Sequence, residues 1–214
     1  MLALRGEGLR EEIVETDPQK TGLPPISPKA LVPEAEETAA ILRELIQKAG
    51  NILSDEEKAN MMLLRGYSRY RRYPSMQQRF GLNALAIAGY PMYRGIARLL
   101  GMVVGPQPSS IREEFDALRD HYGQYDFFFL HIKPTDSRGE DGNFDAKVAV
   151  IEEVDGLIPH VLALKPNVLV VTGDHSTPAA LASHSWHPVP VLLSSADCRP
   201  DRVDRFGERD CIAG

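Results

Sequence analysis

Three short apolar runs in the second half of the chain, at residues 127–130, 168–172 and 189–193, alternate with stretches whose apolar residues recur at helical spacing. Runs of this length, rich in Val, Leu and Phe, suit buried strands and are too short for helices. Between them, Ser110-Ile111-Arg112-Glu113 reads as a capping box ahead of an apolar face made by Ile111, Phe115, Leu118 and Tyr122, which predicts a helix over 111–122. Phe144, Val148, Ile151, Val154, Ile158 and Val161 make a second stripe, which Pro159 is expected to kink or divide. Strand and helix in alternation predict an α/β layer fold.

Upstream, Ala35, Ala39, Leu42, Leu45, Ile46 and Ala49 predict an amphipathic helix over 34–49. Residues 82–88 read as a buried strand, 91–100 as a helix ended by Gly101, and 102–104 as another strand. A strand is also expected at 61–64, although Ser54-Asp55-Glu56-Glu57 just before it resembles a capping box. Residues 1–33 carry Pro18, Pro24, Pro25, Pro28 and Pro33 and are expected to be extended. Gly105-Pro106-Gln107-Pro108-Ser109 breaks the pattern, so two domains are expected, 1–105 and 106–214.

The turns that follow these strands carry the chemistry. In Val171-Thr172-Gly173-Asp174-His175-Ser176-Thr177-Pro178, a carboxylate and an imidazole sit at a strand end, where open α/β sheets collect ligands. Thr177 and Pro178 predict a hydroxyl cap and a first helical residue. His131, Asp136 and Glu140 follow the strand at 127–130, and His184 and His187 precede the run at 189–193. Three segments far apart in sequence thus offer carboxylates and imidazoles together. That mixture suits a borderline dication such as Zn²⁺ or Mn²⁺ better than Ca²⁺, which prefers oxygen alone. His131, alone on a strand end, is read as an ordinary hydrogen-bonded histidine, and His187 is expected near the site without ligating.

The order of Asp136 to Gly142, Thr172-Gly173-Asp174-His175-Ser176-Thr177-Pro178 and Ser183-His184-Ser185-Trp186-His187-Pro188-Val189-Pro190 resembles the cofactor-independent phosphoglycerate mutases of the archaeal type, within the alkaline phosphatase superfamily. Arg5-Gly6-Glu7-Gly8-Leu9, Thr16-Asp17-Pro18, Leu63-Leu64-Arg65-Gly66 and Ala88-Gly89-Tyr90-Pro91-Met92-Tyr93-Arg94-Gly95 extend the resemblance over nearly the whole chain. It implies an alkaline-phosphatase-like metal domain with a smaller inserted α/β domain that closes over substrate. It implies two divalent ions, usually Mn²⁺, with Mg²⁺, Zn²⁺ or Co²⁺ as other occupants. Asp136 and His184 match ligands of one ion, Asp174 and His175 ligands of the other. Glu140 stands where the family usually has histidine, which brings an extra negative charge and a harder donor.

The implied reaction interconverts 2-phosphoglycerate and 3-phosphoglycerate, in glycolysis and gluconeogenesis, through a phosphoserine. The family's serine nucleophile and its Asp-Gly ligand lie in a segment with no counterpart here. The chain is therefore expected to be an internal piece of a longer mutase, inactive by itself and dependent on a missing N-terminal portion or a partner chain. The cationic stretch Arg65 to Arg72 offers Arg65 and Arg69, which would share a face if helical, as grips for a three-carbon phospho-acid. Arg94 is a similar candidate, and Lys133 is either a substrate contact or a salt-bridge partner of Asp136. Another metal-dependent phosphatase or phosphomutase of the same superfamily, and a non-catalytic metal-binding fragment, remain open.

Composition narrows the partners. A net charge of −6 argues against a nucleic-acid backbone, which needs a basic surface, while a small phosphate needs only a local cluster of cations. Cys198 and Cys211 form neither a zinc pattern nor a disulfide framework, which points to a reducing, cytoplasmic setting. No segment is apolar enough for a membrane span, and the start of the chain is too short an apolar stretch for a signal peptide.

Overall fold

A computed structural model describes residues 2–212, and the chain falls into two units, Met1–Arg71 and Arg72–Gly214. In the first unit, a 3₁₀ turn at Pro33–Ala35 leads into helix α1, Glu36–Ile52, so the helix expected over 34–49 starts two residues later and runs three further. Ala39 and Leu42 of this helix, with Ala35 just before it, pack against Ile13. The segment before it is extended and folds back on itself, with an isolated bridge between Ile13 and Ala30 and backbone bonds from Val14 to Lys29 and from Ile26 to Thr16. Thr16, fully buried, donates its backbone N–H to the Leu64 carbonyl at 2.9 Å, and its hydroxyl accepts from the Leu64 N–H at 2.6 Å.

That double contact explains why residues 61–64 are extended but form no strand: they bond to one residue, backbone and side chain, and not to a ladder. Ser54 does not open a helix either. Its hydroxyl donates to the Asn51 carbonyl at 2.9 Å and so closes the end of α1.

The second unit opens with α2, Met76–Phe80, capped reciprocally by Ser75 and Gln78. There follow β1 (Ala84–Ala88), α3 (Pro91–Leu99), β2 (Val103–Val104), α4 (Ile111–His121), β3 (Phe127–His131), α5 (Pro134–Glu140), α6 (Phe144–Ala163), β4 (Val168–Thr172), β5 (Val191–Ser195) and α7 (Glu208–Cys211). Strands β2, β1 and β3 form a parallel sheet in that order, and β4 and β5 form a separate antiparallel pair. The units therefore do not divide at the expected 105–109. Residues 84–104 belong with β3, since β1 pairs with it from Ala84↔Phe127 to Ala88↔His131. The Gly105–Ser109 stretch is a tight connection inside one unit, and the division falls at Arg71–Arg72.

Every residue of β1 is buried, as a central parallel strand covered on both faces must be. Leu85 and Ile87 face a core of Ile111, Phe115 and Leu118 from α4 with Leu157 and Val161 from α6. Ala84 and Ala86 face Ala97 and Met102, the small side chains letting α3 approach closely. The hydroxyl of Ser110 caps α4 as expected, accepting from the Glu113 N–H at 3.2 Å. Glu113 completes no box, because its carboxylate takes the N–H and hydroxyl of Ser109 instead. Pro159 does not divide α6, which runs unbroken to Ala163. The β4–β5 pair alternates, with Val168, Val170, Val191 and Leu193 each more than half exposed on one face.

Among the described residues, one charged side chain of this unit is buried. Glu114 of α4 is 5% exposed, its Oε2 has no partner among the described residues, and it sits beside the backbone N–H of Gly89 at the end of β1. Burial pushes its carboxyl up to about 7, with the Gly89 N–H opposing. The folded state thus holds a proton that the unfolded chain, with an ordinary value of 4.5, gives up earlier, so stability falls as pH rises from 4.5 to about 7 and stays reduced above that. Glu114→Gln should therefore stabilise the protein by about 1–3 kcal/mol at about pH 8 and change it little near pH 4.5. Denaturant titrations at the two pH values check this, and equal effects at both would sink the account.

Candidate metal centre

The carboxyl ends of β3 and β4 place the polar residues. Beyond β3, Pro134 takes the first position of α5, where its missing N–H breaks no helical bond. The 136–140 segment is thus helical, and Asp136 and Glu140, four residues apart, share one face. Beyond β4, the chain turns through Gly173, Asp174 and His175, and Ser176 bridges antiparallel to Ser185. That bridge brings His184 back beside His175, their ring centroids 3.9 Å apart.

The helix expected from Thr177 is only a turn. Leu181 and Ala182 donate to the Pro178 carbonyl, and Ala182 then takes φ 48°, which a right-handed helix cannot continue. The Thr177 hydroxyl does not cap it, because it donates to Asp136 Oδ1 at 2.6 Å. Helix α5 lies so close to this turn that a Cβ on Gly139 would overlap the Thr177 carbonyl oxygen. Lys147 of α6 donates to the same oxygen at 2.7 Å.

Asp136, His175 and His184 each offer one ligand atom within 4.8 Å of the others. Asp136 Oδ1 lies 3.5 Å from His184 Nε2 and 3.9 Å from His175 Nδ1. Glu140 Oε1 lies 3.4 Å from the same His184 nitrogen, and Asp174 Oδ2 lies 3.6 Å from His175 Nε2. Burial alone would raise the Asp136 carboxyl, but bonds from Lys133 and Thr177 outweigh it and hold the group below its ordinary range. Asp174 is lowered in the same way, burial being overcome by the Tyr93 hydroxyl. Both carboxylates are thus ionised at neutral pH, and acid oxygens with imidazole nitrogens make the mixed donor set of a borderline dication.

The remaining sequence candidates are placed differently. Lys133 is ion-paired with Asp136 and lies over the Tyr90 ring at 5.3 Å. The guanidinium of Arg94 donates to the carbonyls of Ala88, Gly105 and Pro106, pinning the ends of β1 and β2. Arg65 and Arg69 belong to the first unit, in extended chain and not a helix. Arg65 pairs with Asp17 at 3.5 Å and Arg69 with Glu11 at 3.7 Å, both arginine side chains more than half exposed. His187 accepts or donates at Ser185 Oγ, 2.8 Å away, and stacks on Trp186. His131 Nδ1, contrary to expectation, is buried with no hydrogen-bond partner among the described residues, and its ring stacks on Tyr93 at 3.8 Å between centroids. Burial lowers its pKa below the ordinary imidazole value, against the pull of Asp174 and Asp136, which favours the neutral ring.

Two residues hold roles that the sequence does not single out. Thr177 has the local pattern of a cap and instead bonds Asp136. Tyr93, in the first turn of α3, donates its hydroxyl to Asp174 Oδ2. A signal for Tyr93 exists, since Pro91 starts a helix directly at the end of β1, and first-turn side chains there face the strand ends.

The family model of the metalloenzyme superfamily matches residues 39–213, and that of the 2,3-bisphosphoglycerate-independent phosphoglycerate mutases matches residues 1–59. A probable 2,3-bisphosphoglycerate-independent phosphoglycerate mutase of Thermus thermophilus is 48% identical over 217 residues, covering 100% of this chain and 53% of that protein. One from Aquifex aeolicus is 49% identical over 205 residues, covering 95% and 50%. A solved structure from Pyrococcus horikoshii superposes with TM-score 0.73 at 29% identity, covering 85% of this chain and 54% of its own. The cofactor-independent phosphoglycerate mutase from Thermoplasma acidophilum gives TM-score 0.62 at 25% identity, covering 98% and 56%. The chain thus spans about half the length of the relatives it matches, and the mixed α/β fold with its parallel sheet is that of an alkaline-phosphatase-like domain.

The contact between α5 and the Thr177 turn generates a prediction. Gly139→Ala forces the helix from the Thr177 carbonyl and should destabilise the protein by about 1–3 kcal/mol. Gly156→Ala, on a part of α6 where a Cβ meets nothing within 4 Å, should instead stabilise it by about 0.5–1 kcal/mol. Thermal unfolding of both variants tests the pair, and equal effects would mean the close approach has no energetic consequence.

Proposed function

The chain belongs to the metalloenzyme superfamily, and from that premise we propose that Asp136 and His184 hold one divalent ion and Asp174 and His175 a second. The whole protein would interconvert 2-phosphoglycerate and 3-phosphoglycerate by phosphoryl transfer. The observation that carries this reading is the convergence of Asp136, His175 and His184 within 4.8 Å. When bound, two such ions neutralise charge on the entering and leaving oxygens of an in-line displacement. Mn²⁺ is the proposed metal, since it accepts both the carboxylate and the imidazole donors.

The chain's own residues do the rest of the local work. Thr177 fixes one oxygen of Asp136, leaving the carboxylate orientation set before any ion arrives. Glu140 reaches His184 and is proposed as a further ligand or orienting carboxylate of the first ion. Lys133 stays a candidate for substrate, because its flexible stem lets the ammonium exchange Asp136 for a phosphate oxygen. Arg65 and Arg69 are the proposed grips on the anionic ends of a three-carbon phospho-acid, their planar forks matching carboxylate and phosphate. Arg94, its amino groups taken by three carbonyls, is assigned no substrate contact. The phosphoryl-carrying serine of the resembled family is assigned to no residue here.

A cytoplasmic setting is part of the proposal, supported by the free thiols of Cys198 and Cys211. Among the described residues, no helix is long and apolar enough to cross a membrane.

Titration of the chain with Mn²⁺, followed by the rise in unfolding temperature, tests the site. Asp136→Asn and His184→Ala should each weaken binding by about tenfold or more. A chelator-sensitive mutase assay on a polypeptide as long as the relatives tests the reaction, and hydrolysis of other phosphate esters without mutase turnover would favour a phosphatase instead. At position 140, Glu140→Ala should weaken the first ion, and Glu140→His should shift preference from Mn²⁺ toward Zn²⁺ by supplying a softer nitrogen. Unchanged affinities in both variants would remove Glu140 from the site.

A further inference from the structure

The Tyr93–His131 pair lies against the proposed centre without belonging to any ligand set. Its geometry points to a distinct role: we propose that Tyr93 is a positioning residue that pins the Asp174 carboxylate for its ion, and that the His131 ring is the shelf that seats Tyr93. This rests on the metal reading given above.

Three observations carry it. Asp174 is fixed at both oxygens, Oδ1 accepting the His175 backbone N–H at 3.1 Å and Oδ2 accepting the Tyr93 hydroxyl. With both oxygens bonded, the carboxylate plane cannot rotate freely, and Oδ2 stays 3.6 Å from His175 Nε2, its partner in the proposed ligand pair. The second observation is the seat of the tyrosine. Its ring lies 3.8 Å from the His131 ring at 31° and 6.3 Å from Phe129, so it is held by aromatic contact from two residues of β3. The third is that His131 Nδ1 is buried with no partner among the described residues, so a polar atom is left unsatisfied where the ring packs. A histidine whose ring contact matters more than its nitrogen has that signature.

The arrangement also joins separate parts of the fold. Tyr93 comes from α3 and His131 from β3, both tied to the parallel sheet, while Asp174 follows β4 in the antiparallel pair. The phenol is thus the hydrogen bond by which the parallel sheet sets the angle of a carboxylate carried by the other sheet. Carboxylates that ligate metals are commonly held by such outer hydrogen bonds, and losing one weakens affinity by about 10–100-fold.

The test uses the 214-residue chain and three variants. Tyr93→Phe keeps the ring and removes the hydroxyl, His131→Phe keeps the shelf and removes the nitrogen, and His131→Ala removes the shelf. Two measurements are made: Mn²⁺ affinity by electron paramagnetic resonance titration, and metal-free hydrogen exchange of the His175 amide, which bonds Asp174. Tyr93→Phe should weaken one of two Mn²⁺ affinities by about tenfold and speed His175 exchange, with little change in unfolding temperature. His131→Ala should do the same, while His131→Phe should leave both readings near those of the parent chain. Parent-like affinity and exchange in Tyr93→Phe would overturn the proposal, as would an equal loss in His131→Phe and His131→Ala. A parent chain that binds no Mn²⁺ would sink the metal reading itself, and with it the assignment of Tyr93 to an ion, while the exchange arm still reports whether Tyr93 pins Asp174.

Discussion

The carbonyl of Thr177 lies against the α-carbon of Gly139 so closely that no side chain fits between α5 and the turn after β4. Two further groups hold that approach in place. Lys147 donates to the Thr177 carbonyl, and the Thr177 hydroxyl donates to Asp136. From this contact the rest of the site follows: Asp136 reaches the turn that carries Asp174 and His175, and the Ser176–Ser185 bridge folds His184 in beside them. Loosening it by the width of a methyl group would separate donors that now converge.

Gathering negative charge at one place needs compensation, and the site supplies it unevenly. Asp136 is nearly buried and is matched by an ammonium, a hydroxyl and two imidazoles. Asp174 is more exposed and is matched by a phenol and one imidazole. Tyr93 answers that difference: its bond to Asp174, with burial, pushes the phenol up to about 12, so it remains a donor across the physiological range. The two carboxylates are thus kept ionised by neighbours of different kinds.

The parallel sheet explains why these groups meet where they do. In β1 the alternation of alanine with larger residues gives one flat face for α3 and one filled face for α4 and α6. With β1 buried throughout, β3 must run beside it in register, and its last residue, His131, ends level with Ala88. Helices α3 and α5 therefore start at the same edge, each with proline in its first turn, and project Tyr93 and Asp136 toward the same turn.

Local apolar pattern in the sequence marked the strands expected at 82–88, 127–130 and 168–172 and the helices α1, α3, α4 and α6, but not their burial, since Val168 and Val170 of β4 are more than half exposed. The motifs likewise singled out Asp136, Asp174, His175 and His184, whose side chains lie close together in the fold. What the sequence could not contain was the partner of each polar group. The hydroxyl of Thr177 has the same local pattern as a helix cap, and only the arrival of α5 turned it toward Asp136. Arg94 reads as a free cation until the carbonyls of Ala88, Gly105 and Pro106 are placed around it. The division between units escapes local reading for the same reason: a proline-rich break marks where regular structure stops, but strand pairing across that break, from β1 to β3, decides which residues fold together. Local spacing fixes which face is apolar, and long-range hydrogen bonds, invisible in spacing, fix what each polar group does.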